Sequence, residues 1–385
     1  MDRLAIDIVR GVVGQNVESL QLPHYGRDYQ FCATQRACRV LCAAPNFHDG
    51  LGPSGPGRFF RLCLPSEGTV SRIGVMLHPP ATEDEDASAG AEQVELTASE
   101  QIRLEFIPPS EQLRPFVTTF YSLRCDEPEI LDCLPAAVGY LTLNLAGSGI
   151  LHFADGRAEP SHDAMFLTPT TAAVRIALQG PWHMIGAALS PLGWAALTGL
   201  HAGDVADRVL PASQVLGAAA NNLAARIRSI ADGDAARAAV LADLIGDRLR
   251  PVKPRHVQVI DAIANWLSSS FDPPVSILPQ QANYSIRQVE RLCERYFGVP
   301  PKQLARKYRA LRVAALLQAP DTSPEQVAAL KNLYFDQSHL IRDMRHYLGR
   351  TPNRIFDGSA PLLNATSSMR GYREVRPNFA RIPGD

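Results

Sequence analysis

Apolar and polar residues follow two different periods along this chain. Between about 103 and 200, short segments rich in β-branched and aromatic residues alternate apolar with polar: RPFVTTFYSL, VGYLTLNL, AAVRIAL and HMIGAAL. A period of 2 puts successive side chains on opposite faces of a strand. Gly, Pro and Asp punctuate these segments in AGSG, ADGRAEP and QGPW, which predicts a small antiparallel β domain of short strands. SPLGWAALTGL then starts a helix, and two Ala- and Leu-rich helices are predicted over about 213–230 and 234–250.

Past the break PVKPRH (251–256) the period is helical nearly throughout. Val259, Ile260, Ile263 and Leu267 form one stripe. SILPQQANY reads as a short helix capped by Ser276, with Pro279 tolerable in its first turn. Ser285 caps IRQVERLCERYF, which ends at Gly298. A long helix follows over about 301–318, with Arg306, Lys307, Arg309 and Arg312 on its polar faces. SPEQVAAL comes next, and then a helix capped by Asp336, closed by Gly349 and followed by Pro352. Its apolar residues Leu340, Met344, Tyr347 and Leu348 share one face.

The two ends of the chain show no such order. Residues 1 to about 80 sustain neither period, and PPATEDEDASAGAEQ reads as a flexible acidic linker. The stretch after Asp357 reads as a disordered tail. The predicted organisation is therefore a poorly structured extension and linker over 1–100, a β-rich sensor-like domain with trailing helices over 101–250, a helical domain over 251–357 and a tail over 358–385. The fold class is α+β, multidomain.

Composition changes this picture little. Of 385 residues, 46% are hydrophobic and 20% charged, and no apolar run approaches a membrane span. The N-terminus lacks a basic stretch followed by an apolar one, so no secretory signal is expected. Seven cysteines at irregular spacings do not suggest a disulfide framework, which favours a cytoplasmic setting. Charge is more informative. The net value of −1 conceals about fifteen Lys and Arg against about eight Asp and Glu between Arg250 and Phe356. A locally basic domain is the electrostatic footprint of nucleic-acid binding.

That domain repeats one plan. Each half has a short helix, a tight turn, a second helix with a polar cap and basic outer residues, and a terminal G-x-x-P, FGVPP in the first and LGRTP in the second. A helix-turn-helix has this order: one helix braces, and the other presents its N-terminal half to the major groove. In the first half Val289, Leu292, Cys293 and Tyr296 form the inner face, leaving Arg287, Gln288, Glu290, Arg291 and Glu294 outside. In the second, Gln337, Ser338, His339, Arg342 and Arg345 lie outside. Arg pairs with guanine, Gln with adenine, and Glu accepts from cytosine. The candidate base readers are Arg287, Gln288, Glu290, Arg291, Gln337, Ser338, His339 and Arg342. The candidate phosphate contacts are Ser285, Arg306, Lys307, Arg309 and Arg345.

SIRQVERLCERYFGVPPKQLARKYRALRVAALL followed by FDQSHLIRDMRHYLGRTPNRIF closely resembles the AraC/XylS family of bacterial transcription regulators, over about 100 residues. The family pattern S-x-R-Q-x-E-R falls on Ser285 to Arg291, and D-Q-S-H-x-x-R falls on Asp336 to Arg342. The resemblance implies two recognition helices entering successive major grooves, joined by the long helix. It also implies double-stranded promoter DNA, RNA polymerase and an unidentified small-molecule effector as partners. The region around PSEQLRPFVTTFYSL is similar to a sensor-like domain found in some members. The small-residue faces of the helices at about 205–250 permit either support of the β domain or self-association as a homodimer. Two positions depart from the family: Asn283 and Leu333 stand where each turn commonly carries Gly. Asn accepts a left-handed backbone, whereas Leu333 predicts a distorted second unit unless Asn332 absorbs the turn.

An alternative reading uses the N-terminal cysteines. Cys32, Cys38, Cys42 and Cys63 are similar to the zinc-thiolate alkyl-acceptor site of Ada-type regulators, but the downstream C-x-x-C is missing. His152, His162, His183 and His201 form no metal-ligand pattern, and Ser161-His162-Asp163 is a triad in letters alone. Trp182 and Trp194 suit either a ligand pocket or a core. No catalytic glycine loop or nucleophile motif is present, so no enzyme, metal or cofactor is expected.

Overall fold

The computed structural model divides the chain into two units, 1–94 and 95–385. It describes the backbone of 29–34, 37–42, 58–66 and 69–77 in the first. In the second it describes 102–385 apart from 320–321, 324, 326–329, 331–332, 335, 356–359, 377–378 and 384–385, and the side chains of 353 and 355. In the first unit β1 (Tyr29–Thr34) pairs antiparallel with β2 (Ala37–Cys42), and β3 (Arg58–Ser66) with β4 (Thr69–Leu77). These two hairpins are what the structure describes of the stretch for which the sequence predicts a poorly structured extension. The acidic linker lies outside the described residues.

The second unit begins with a sheet in the order β12-β10-β8-β11-β6-β5. Its strands are β5 (Ile102–Ile107), β6 (Val117–Cys125), β8 (Tyr140–His152), β10 (Ala164–Leu167), β11 (Val174–Leu189) and β12 (Val209–Pro211). β7 (Glu129–Leu134) adds to the first part of β11, and β9 (Ala158–Pro160) to the end of β8. QGPW was expected to separate two strands. Instead β11 runs through it as one strand, pairing with β8 on both sides and absorbing Gly180 and Pro181 in a register shift between Gln179 and His183. AGSG likewise lies inside β8.

Both faces of this sheet are covered, and successive side chains along each strand point to opposite faces. Leu141, Leu143 and Leu145 point into a core shared with Phe120, Phe166 and the helices that follow. Tyr140 and Thr142, on the opposite face, line a cavity. The covering helices are α1 (Pro191–Thr198), α2 (Ala212–Leu216), α3 (Leu223–Arg228) and α4 (Asp234–Arg248). The single helix expected over 213–230 is broken in two by left-handed residues, Gly217 at φ 61° and Asn222 at φ 58°.

The helical region comprises α5 (Pro254–Ser269), α6 (Leu278–Ala282), α7 (Ile286–Phe297), α8 (Pro301–Leu317), α9 (Gln337–Leu348) and α10 (Pro352–Ile355). Ser276 does not cap α6; it sits in a 3-10 turn, and the helix starts at Leu278. Most of the bracing helix before α9 lies outside the described residues. Leu333 is half-buried against the core and is not among the residues with positive φ. Leu333→Gly is therefore expected to lower thermal stability by about 1–3 kcal/mol through lost packing and added backbone entropy. A rise in the unfolding midpoint would instead support the distorted turn.

The tail contradicts its expectation of disorder. α11 (Pro361–Ser367) and α12 (Met369–Val375) bury Leu362, Leu363, Tyr372 and Val375, and Phe379 and Ile382 follow them into the core. Asp132 Oδ2 accepts from Leu362 N at 2.7 Å, and Phe379 meets Tyr308 edge-on at 6.0 Å between ring centroids. The helical signal lay in the apolar residues Leu362, Leu363, Tyr372 and Val375 and in the capping residue Ser368. A 3.6-residue period is hard to see in helices of two turns.

Candidate nucleic-acid interface

Both presumed reading helices are closed at each end by their own sequence. Ser285 and Gln288 form a reciprocal capping box at α7: Ser285 Oγ accepts from Gln288 N, and Gln288 Oε1 accepts from Ser285 N at 3.1 Å. At α9, Asp336 Oδ1 accepts from His339 N at 2.8 Å, and that bond holds the Asp336 carboxyl below the usual carboxylate range. Each helix ends at a left-handed glycine, Gly298 at φ 85° and Gly349 at φ 74°, where a side chain would be strained. Asn283, at φ 53°, makes the first turn without glycine, as its side chain permits.

The inner faces are as the period predicts. Val289, Leu292, Cys293 and Tyr296 are buried on α7, and Leu340, Met344, Tyr347 and Leu348 on α9. Arg287, Gln288, Glu290 and Arg291 are exposed, as are Gln337, Ser338, His339, Arg342 and Arg345. Gln288 and Ser285 are engaged with each other in the capping box, so their first role is structural. His339 Nδ1 lies 3.0 Å from Asp336 Oδ1.

The phosphate set needs correction on α8. Lys307 is 2% exposed, and its Nζ donates to Ala137 O and Thr170 O, each at 2.7 Å. Burial, reinforced by the nearby charge of Arg376, pushes its ammonium down to about 7. Arg309 is nearly buried: it pairs with Asp272 at 3.0 Å and Asp343 at 3.4 Å, and its guanidinium lies 4.6 Å from the centre of the Tyr334 ring. Arg306 remains half-exposed but binds Asp343 at 2.5 Å. Arg312 is wholly buried and donates to Leu267 O, Ser270 O and Tyr372 Oη. A basic residue on a helix predicts a surface position, yet α8 packs against the helices around it and against the β domain. Lys307 lies three after Leu304 and Arg312 four after Tyr308, on the apolar stripe itself. That spacing was the available signal.

The β domain reaches both reading helices at the same end. Gly203 N and Ala202 N donate to Glu294 O and Arg295 O at the end of α7, at 3.0 and 2.8 Å. Ala173 N and Ala136 N donate to His346 O and Tyr347 O at the end of α9, at 2.8 and 2.7 Å, and Cys133 Sγ donates to Leu348 O at 3.3 Å. The last carbonyls of a helix lack partners within it; here the β domain supplies them. The sequence held no sign of these contacts, because all but that of Cys133 are made by backbone groups of loops.

Among the described residues no three His, Cys, Asp or Glu are grouped to hold a metal ion, and no helix is long and apolar enough to cross a membrane. The side chains of Cys32, Cys38, Cys42 and Cys63 lie outside the described residues. Trp194 packs edge-on to Phe166 in the core, whereas Trp182 lines the cavity.

The family described as Helix-turn-helix domain matches residues 278–357, and the family described as Domain of unknown function (DUF6597) matches residues 105–211. No curated protein matches the chain. Among solved structures the chain is similar to ToxT from Vibrio cholerae O395, at 9% identity and a TM-score of 0.36, over 66% of this chain and 96% of that one. It is also similar to the AraC-like transcriptional activator CuxR, at 12% identity and a TM-score of 0.25, over 55% of this chain and 86% of that one. With the capped helices and the motifs at Ser285–Arg291 and Asp336–Arg342, the match identifies residues 278–357 as a helix-turn-helix domain of the AraC type.

Proposed function

We propose that α7 and α9 read two successive major grooves and that the β domain modulates this binding. The supporting observation is that the C-terminal turns of both helices are bound by β-domain groups. Their N-terminal halves are then the free ends, and these carry exposed Arg287, Glu290 and Arg291 on α7 and Gln337, Ser338, His339 and Arg342 on α9. Arg345 and the half-exposed Arg306 are the remaining phosphate contacts. Such contacts make affinity steeply salt-dependent. A homodimer through α2–α4 and a contact with RNA polymerase belong to the same reading.

Binding of the full chain to fragmented native DNA tests it: enrichment of sites of about 20 bp, with two reads a helical turn apart, is the expected result. Arg291→Ala and Arg342→Ala should each cost about 1–3 kcal/mol on such a site and relax its specificity. Equal losses on random DNA would assign these arginines to phosphate instead.

A further inference from the structure

One face of the sheet lines a cavity of about 90 Å³, several times what one water needs. Its walls are almost wholly apolar: Phe106, Leu123, Tyr140, Trp182 and Met184 on the sheet side. One side is closed by the C-terminal segment, through Leu362, Thr366, Val375 and Arg376. Arg376 is out of place in such a wall. It is 2% exposed, its Nε has no hydrogen-bond partner, and no carboxylate among the described residues pairs with it. Among the described residues its charge-compensating neighbour is the Tyr372 ring, 4.9 Å from the guanidinium carbon. An isolated buried charge is among the costliest features a core can hold, and buried charges are ordinarily paired.

We infer that this cavity binds a small organic acid with an apolar or aromatic body, its anionic group seated on Arg376, and that the C-terminal segment is the wall that supplies this cation. An anion would give the guanidinium the partner it lacks, and the apolar walls would take the body of the molecule. Tyr121 Oη and Thr142 Oγ1, bonded to each other at 2.8 Å, add a polar point on the opposite wall. The assignment rests on the reading that the β domain modulates DNA binding, and the fold provides the connection. Ala137 and Thr170 line the cavity, and their carbonyl oxygens hold Lys307. Pro135 also lines it and precedes Ala136, whose N–H holds Tyr347 of α9.

The test compares 3-phenylpropanoate with 3-phenylpropan-1-ol, which share a body and differ in charge, on the full chain at neutral pH. Calorimetry gives affinities, and Trp182 emission reports occupancy of the cavity. The acid is expected to bind at least about tenfold more tightly than the alcohol, as one charge-assisted hydrogen bond provides. Arg376→Met should abolish that preference and leave the affinity for the alcohol unchanged, and Arg376→Lys should retain it. Equal binding of acid and alcohol by the parent protein, binding of neither, or a preference that survives Arg376→Met would overturn the inference. Should Arg376→Met not fold, as seen by circular dichroism, the parent ratio and Arg376→Lys decide. DNA binding measured in parallel separates the two readings: failure of the acid test with DNA binding intact rejects the ligand, and absence of DNA binding rejects the function.

Discussion

Replacing Asp343 by alanine is expected to lower the free energy of unfolding by about 3–5 kcal/mol, the range for breaking a buried ion pair by removing one partner. Asp343 stands on α9 with only 3% of its side chain exposed, and it accepts from Arg306 at 2.5 Å and Arg309 at 3.4 Å on α8. Arg309 carries most of the weight. Its side chain is 13% exposed, so without Asp343 its remaining partners are Asp272, itself largely exposed, and the Tyr334 ring. Arg306 faces water on one side, and its share is screened accordingly. The same contact aims α9, so DNA affinity should fall together with stability. Urea unfolding of Asp343→Ala, Arg306→Ala and the double variant measures the coupling. A loss under about 1 kcal/mol for Asp343→Ala would mean that α9 is held by apolar packing alone.

Alanine at Tyr372 should cost a similar amount, about 3–5 kcal/mol, the range for removing a buried aromatic ring. The ring is 1% exposed beneath Arg376, and its hydroxyl accepts from Arg312 Nε at 3.1 Å and donates to Ala380 O at 2.6 Å. Tyr372→Phe keeps the ring and removes both bonds, leaving Arg312 Nε buried without this acceptor, so about 1–3 kcal/mol should be lost. Limited proteolysis offers an independent reading, since loosening α12 should expose cleavage sites beyond 360. Were the tail an appendage, neither substitution would shift the unfolding midpoint and the cleavage pattern would not change.

Much of the DNA-binding region was legible because its determinants are local. The caps Ser285 and Asp336, the closing glycines Gly298 and Gly349, and the apolar faces of α7 and α9 each depend on residues within four positions of one another. A hydrogen bond across one helical turn or a stripe repeating every 3.6 residues is written directly in the sequence. Asn283 belongs with them, since its left-handed turn follows from its own side chain. The exposed candidates Arg287, Arg291 and Arg342 were found for the same reason.

The charges on α8 were misread because burial is not a local property. Lys307, Arg309 and Arg312 look like any basic helix face until the β domain, α5, α9 and the C-terminal segment close around them and offer carbonyl, carboxylate and phenol oxygens. Hydrogen bonds from distant backbone oxygens make a buried cation tolerable, and no spacing in the chain announces them. The strand through Gln179–Trp182 is similar: Gly and Pro predict a break locally, and pairing with β8 overrides it.

By itself, then, the sequence determined the boundaries and faces of α7 and α9 and the likeness to AraC-type regulators, all carried by short-range hydrogen bonds and helical periodicity. Only the tertiary structure decided which basic residues face solvent, that the C-terminal segment closes one side of the cavity in the β domain, and that the β domain grips α7 and α9 at one end. Those outcomes depend on which backbone oxygens and apolar surfaces meet from distant parts of the chain, as Lys307 meets Ala137 at a separation of 170.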